Sequence, residues 1–288
     1  TLGVEELDEP PFVDGENGSS KPVRQELHRR VVPASCRPRV TQDTLRVASR
    51  LAGDAVDARS YGTVGSVSTL LNPPADVRPR LRGVIHHYSA YVAAVAGLAL
   101  VIGAATVGDP VAVVPCAVYA VTVLGLFAIS AGYHRIPWKT ARARTRMKRA
   151  DHAMIFLFIA GTYTPFCAMG LSAPTSWWVL GIVWVGALAG VVLKIAWPAA
   201  PRWLGVVLYL VLGWVIVAVA PALVAHVGWL VLILLAVGGV FYSVGGVLYA
   251  ARWPNPWPGV FGHHEVFHAC TAVAALLHYI AVWLVVLS

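Results

Sequence analysis

Acidic residues are nearly missing from most of this chain: of its 14 Asp and Glu, only Asp109, Asp151 and Glu265 follow residue 80. Charged residues of either sign make up 12% of the sequence, about half of their share in a soluble domain. Hydrophobic residues make up 58%, and the mean hydropathy is +0.68. This composition excludes a soluble globular fold and indicates an integral membrane protein. In such a protein, carboxylates among the apolar segments are costly, so each of these three is a candidate for a specific role.

Cysteine is also scarce. The four cysteines are Cys36, Cys116, Cys167 and Cys270, and no two of them have CxxC spacing. A disulfide framework is therefore not expected. The net charge of +8 raises the possibility of nucleic-acid binding, but the cations lie beside apolar segments, where membrane orientation and anionic lipid headgroups account for them. We expect membrane lipids as partners and no nucleic acid.

The chain divides near residue 80. Residues 1–78 are rich in Pro, Gly, Ser and mixed charge, which is typical of a largely disordered tail. Residues 79–288 contain apolar runs of about 20 residues, the length of a membrane-spanning helix. We predict an all-α, polytopic fold with seven transmembrane helices. Their predicted ranges are 84–107, 111–134, 151–171, 177–197, 203–225, 229–251 and 262–287.

The distribution of Lys and Arg predicts the orientation. All 22 lie in the N-terminal segment or at the connections between spans 2 and 3, 4 and 5, and 6 and 7. By the positive-inside rule the N-terminus is cytoplasmic, and an odd number of spans places the C-terminus outside. We expect a multi-pass protein of the plasma (cell) membrane, with Asp109 in an outer turn.

Ionisable side chains within spans are costly and are therefore candidates for function. His134 ends the second predicted span, Asp151 begins the third, and His264 and His268 lie in the first turns of the seventh. All four fall at the cytoplasmic boundary.

The spacing of these side chains suggests a metal site. His264 and His268 are four residues apart and share one helix face, as two metal-binding imidazoles require. Three histidines with an open fourth position are typical of a catalytic zinc site, where Asp151 would act on the bound water. Ser130 lies one turn deeper than His134. The alternative is that these histidines are satisfied by hydrogen bonds alone.

Several motifs resemble the hemolysin III family, which is grouped with the adiponectin and progestin receptors and, more remotely, with the alkaline ceramidases. The motifs are residues 130–134 (SAGYH), Asp151, residues 159–165 (IAGTYTP), residues 253–258 (WPNPWP), residues 261–268 (FGHHEVFH), and residues 79–83 (PRLRG) with His86. The resemblance covers residues 80–288 and follows the same order along the chain.

The resemblance implies a seven-helix fold with an intramembrane zinc ion. His134, His264 and His268 would be the ligands, and Asp151 and Ser130 would hold the water or a polar substrate group. Members of the wider group hydrolyse lipid amides such as ceramide, bacterial members are linked to cytolysis and membrane homeostasis, and the receptors respond to ligands. We expect a zinc-dependent lipid amide or ester hydrolase, with a membrane-stress sensor or cytolytic protein containing structural zinc as the alternative.

A second motif competes with this interpretation. Residues 264–268 match H-E-x-x-H, in which Glu265 would be the general base of an intramembrane metalloprotease. The motif is short, so we favour a supporting or interfacial role for Glu265. His86 is a candidate to support a ligand from outside the coordination sphere, although an interfacial position is favoured. His278 is too deep to reach the metal and is expected to hydrogen-bond inside the protein.

Overall fold

The computed structural model of the chain describes residues 79–106, 110–197 and 199–288. Within these ranges the protein is all-α, and the only extended pairing is an isolated bridge between Trp257 and Phe261. The predicted tail, residues 1–78, and the predicted outer-turn residue Asp109 lie outside the described residues. The predicted all-α membrane fold is confirmed for the apolar part of the chain.

Seven α-helices follow one another along the described chain. They are α1 (Val84–Thr106), α2 (Val113–Arg135), α3 (Ala141–Gly170), α4 (Ala173–Ala196), α5 (Arg202–Gly213), α6 (Ala220–Ala251) and α7 (His263–Val286). A short 3-10 segment, Pro110–Ala112, precedes α2, and another, Trp214–Val219, joins α5 to α6. The apolar runs therefore place most helices close to their predicted ranges, because the length of such a run reflects the membrane thickness.

Helix α3 begins at Ala141, ahead of the predicted start of the third span at residue 151, so that predicted boundary was wrong. Thr140 caps the helix, since its hydroxyl oxygen accepts a hydrogen bond from the Ala143 backbone N–H at 3.1 Å. The Ala, Arg and Lys residues that follow are strong helix formers and continue α3 beyond its apolar part. Asp151 therefore lies well inside the helix and does not begin it.

The fifth and sixth predicted spans form one nearly continuous helical stretch, Arg202–Ala251, of 50 residues. A straight helix of that length would extend for about 75 Å, more than twice the hydrocarbon core of about 30 Å. The stretch folds back on itself. This is shown by the hydrogen bond that the Trp214 indole N–H donates to the Ser243 hydroxyl at 3.0 Å. The reversal occurs at Gly228, whose φ of 82° and ψ of 171° are not helical.

Six helical stretches are long and apolar enough to cross a membrane, with the folded-back stretch Arg202–Ala251 counted once. The chain is therefore a multi-pass membrane protein. Because each arm of the folded-back stretch is about one membrane thickness long, a total of seven crossings stays our prediction. The cytoplasmic N-terminus and external C-terminus also stay predictions, since they depend on the distribution of charge.

Helix α3 lies at the centre of the bundle. In the most apolar part of α3, 67% of the residues are buried inside the protein, compared with 22% for α1. Helix α3 packs against α2, α4, α5 and α7, and α7 packs in turn against α1 and α6. This arrangement brings together the C-terminal end of α2, the first half of α3 and the N-terminal end of α7, which carry the predicted site residues.

Candidate metal centre

Three imidazoles from two helices meet at one point. His134 lies in the last turn of α2, and His264 and His268 lie on one face of the first two turns of α7. The Nε2 atoms of His134 and His264 are 3.0 Å apart, and each of the three rings offers a ligand atom within 4.8 Å of the others. The sequence prediction that these histidines form one cluster is confirmed.

The cluster fits a tetrahedral metal ion. Zinc binds imidazole nitrogen at about 2.0–2.1 Å, which places two nitrogens on the same ion roughly 3.3 Å apart. The His134–His264 separation is close to that value. His268 is 2% exposed, and its Nδ1 atom has no hydrogen-bond partner among the described residues. A buried nitrogen of this kind calls for a partner that the protein does not supply, and a bound cation or water would supply it.

Asp151 and Ser130 lie beside the cluster, as predicted. One carboxylate oxygen of Asp151 lies 3.9 Å from the Nε2 atom of His134. Ser130 is buried on α2 one turn before His134, and its hydroxyl donates a hydrogen bond to the Asp151 carboxylate. The site thus combines three neutral nitrogen ligands with one carboxylate held in place by a hydroxyl.

His86 is not at the interface, so the position that we favoured for it was wrong. It is 2% exposed and stacks on the His268 ring, with centroids 3.6 Å apart and planes inclined by 13°. Phe127 also packs against His86, with ring centroids 5.1 Å apart and planes inclined by 72°. A helix start looks interfacial in the sequence, but packing against Phe127 on α2 and His268 on α7 buries His86.

Both carboxylate oxygens of Glu265 accept hydrogen bonds from groups outside the histidine cluster. Oε1 accepts a hydrogen bond from Nε of Arg82 at 2.5 Å, and Oε2 accepts one from the Gly262 backbone N–H at 2.8 Å. The side chain is fully buried. A general base must be free to reach a water molecule, so this geometry supports a structural role for Glu265 and gives no support to the metalloprotease alternative.

Two neighbours of the site were missed by the sequence analysis. Tyr249, near the end of α6, places its ring 5.3 Å from that of His264, and its position at the cytoplasmic end of a predicted span was the available signal. The Asn255 side-chain oxygen accepts a hydrogen bond from the His263 backbone N–H at 3.1 Å, which gives the 253–258 motif a role at the start of α7.

His278 lies elsewhere, as predicted. Its Nε2 atom contacts the Leu235 carbonyl oxygen at 3.2 Å, inside the protein and between α6 and α7.

Comparison with known proteins decides the family. The model of a family described as haemolysin-III related matches residues 76–279, which include every residue of the candidate metal centre. The chain belongs to the haemolysin-III-related family. It is 33% identical to a hemolysin-3 homolog of Bacillus subtilis over 170 residues, covering 59% of this chain and 76% of the relative.

Two further relatives show the breadth of the family. Hemolysin-3 of Bacillus cereus is 30% identical over 185 residues, covering 64% of this chain and 81% of the relative. The human monocyte to macrophage differentiation factor is 25% identical over 169 residues, covering 58% of this chain and 68% of the relative. The haemolysin-III resemblance drawn from the sequence motifs is confirmed.

Proposed function

We propose that this haemolysin-III-related protein holds zinc at His134, His264 and His268 and hydrolyses an amide or ester bond of a membrane lipid. The observation that carries the proposal is the convergence of the three imidazoles with the Ser130–Asp151 pair. Three nitrogen ligands and a nearby carboxylate are the composition of catalytic rather than structural zinc sites. We place the protein in the plasma membrane and its substrate among the surrounding lipids.

Each group at the site has its own part in the proposed hydrolysis. A bound zinc ion supplies Lewis acidity, which polarises a carbonyl and makes water more acidic. Asp151 would accept the proton of the water that attacks the carbonyl and return it to the amine or alcohol that leaves. Its carboxylate stays beside the cluster because Ser130 holds it. The three histidines would bind the ion as neutral ligands, and the His268 side chain is buried.

The test combines lipid turnover with metal content. Purified protein is incorporated into vesicles of phosphatidylglycerol and ceramide, and released fatty acid is measured by mass spectrometry. We expect release by the wild type and a loss of about 100-fold or more in Asp151→Asn, with zinc retained. Asparagine keeps the shape of the side chain but cannot accept the proton. Equal release by both proteins would overturn the assignment of Asp151 as the base.

A second candidate function is non-enzymatic: a cytolytic protein or membrane-stress sensor in which zinc is structural. It is favoured by the similarity to a relative that carries the name hemolysin-3. If zinc only stabilises the fold, chelation unfolds the protein, and no tested lipid releases fatty acid. Under the hydrolase proposal, turnover is present and depends on Asp151.

A further inference from the structure

The residues just before α1 are tied to the residues just before α7. The backbone N–H of Arg80 donates to the Gly259 carbonyl oxygen at 3.0 Å, and that of Leu81 donates to Val260 at 3.2 Å. We refer to residues 80–83 as the lead-in segment. These two hydrogen bonds join parts of the chain that are far apart in sequence and hold the approach to α7 in place.

A partly buried ion pair continues this connection into α7 itself. Arg82 donates from Nε to Oε1 of Glu265, which is the third residue of the helix and lies next to His264. The side chain of Arg82 is 24% exposed, and that of Glu265 is 0% exposed. Low exposure strengthens a charged hydrogen bond and makes loss of one partner costly, since a buried charge is then left uncompensated.

The second oxygen of Glu265 fixes the start of the helix. Oε2 accepts a hydrogen bond from the Gly262 N–H, which would otherwise lack a partner in the first turn. The orientation of the first turn of α7, including His264, therefore depends on how Glu265 is held. Arg82 holds it.

The lead-in segment also contacts the third imidazole. Gly83 has φ of 76°, and a Cβ atom added there would lie 2.6 Å from Cβ of His134. Only glycine allows both this backbone conformation and this approach. One short segment thus packs against His134 on α2 and pairs with Glu265 on α7, the two helices that supply the cluster.

We infer that Arg82 is a positioning residue for the metal centre: through Glu265 it sets the first turn of α7 so that His264 and His268 face His134. This inference rests on the proposed zinc site. Glu265, the acidic residue of the H-E-x-x-H sequence, then serves to orient His264 and His268 toward the metal. Partners that orient metal ligands from outside the coordination sphere change metal affinity by about 10-fold to 100-fold when they are removed.

The test is zinc affinity, measured by competition with a chromophoric chelator on folded, monodisperse protein. We expect Arg82→Gln to weaken zinc binding at least about tenfold. The matched control is Arg80→Gln, because Arg80 lies in the same segment with an exposed side chain and contributes only its backbone to the contacts described above. Arg82→Lys keeps the charge and is expected to restore part of the affinity.

A second variant tests the pairing itself. Glu265→Gln keeps an oxygen for the Gly262 N–H but removes the charge, so it should weaken zinc binding to a similar extent. The double variant should bind no more weakly than either single variant, because the two changes remove one interaction. Zinc binding by Arg82→Gln, or by Glu265→Gln if Arg82→Gln does not fold, equal to that of the Arg80→Gln control would overturn the inference and leave the zinc site standing. A wild-type protein that binds no zinc would overturn the proposed function itself.

Discussion

The imidazole of His86 stacks face to face on that of His268, with 3.6 Å between the ring centroids. His86 belongs to α1 and His268 to α7, so this contact links the first and last helices of the bundle. The contact restricts rotation of the His268 ring, and Phe127 packs in turn against His86. A metal ligand held in this way loses little conformational entropy when the ion binds.

The stack predicts that His86 supports the metal site by shape. His86→Ala should weaken zinc binding by about tenfold, because His268 would gain rotational freedom and a cavity would open beside it. His86→Phe preserves a flat ring and should retain most of the affinity. Zinc competition on both variants checks this. An equal loss in both would show instead that the His86 nitrogens matter.

Helix packing around α3 predicts a second result. A Cβ atom at Gly161 would lie 2.0 Å from the Thr122 hydroxyl oxygen, whereas one at Gly181 would meet nothing within 4 Å. Gly161→Ala should therefore separate α2 from α3 and lower thermal stability in detergent by several degrees. Gly181→Ala, on α4, should leave stability unchanged or slightly raised, since alanine favours the helix. Size-exclusion chromatography of heated samples measures both. Equal stability of the two variants would contradict the packing described.

The break between α5 and α6 predicts a third result. The Tyr163 hydroxyl donates to the Gly213 carbonyl at 2.7 Å and accepts from the Ile216 N–H at 2.8 Å. It thereby satisfies backbone groups that the 3-10 segment leaves unpaired. Tyr163→Phe should lower the free energy of unfolding by about 1–3 kcal/mol. Tyr88→Phe is the matched control, because that side chain is 66% exposed. A loss of the same size in the control would contradict a specific role for Tyr163.

The predicted orientation can be tested by chemical labelling in a cysteine-free background. Thr140→Cys should be protected from a membrane-impermeant thiol reagent in intact cells, because it lies in the basic connection between α2 and α3. Ser172→Cys, between α3 and α4, and Ser288→Cys should be labelled. Labelling of Ser172→Cys together with protection of Ser288→Cys would place these two positions on opposite sides of the membrane. That result would exclude an odd number of crossings with a cytoplasmic N-terminus.

The positions of the spans and the histidine cluster could be predicted because both follow from local patterns. Apolar length places a helix, and the depth of His134 and His264 at the ends of their spans brings them to one level. The start of α3 was missed because a basic segment outside the membrane has no apolar pattern, although its Ala and Arg residues favour helix.

Contacts between distant parts of the chain could not be predicted. Arg82 and Glu265 are 183 residues apart, and no spacing rule connects them. Burial of His86 also depends on its packing against Phe127 and His268, which hydropathy does not record.

Zinc stoichiometry tests the central claim most directly. Wild-type protein purified without added metal and analysed by inductively coupled plasma mass spectrometry should contain about one zinc ion per chain. His264→Ala combined with His268→Ala should contain none, while His226→Ala, a change on α6 outside the cluster, should match the wild type. Zinc content in the double variant equal to that of the wild type, or a wild type without zinc, would contradict the account.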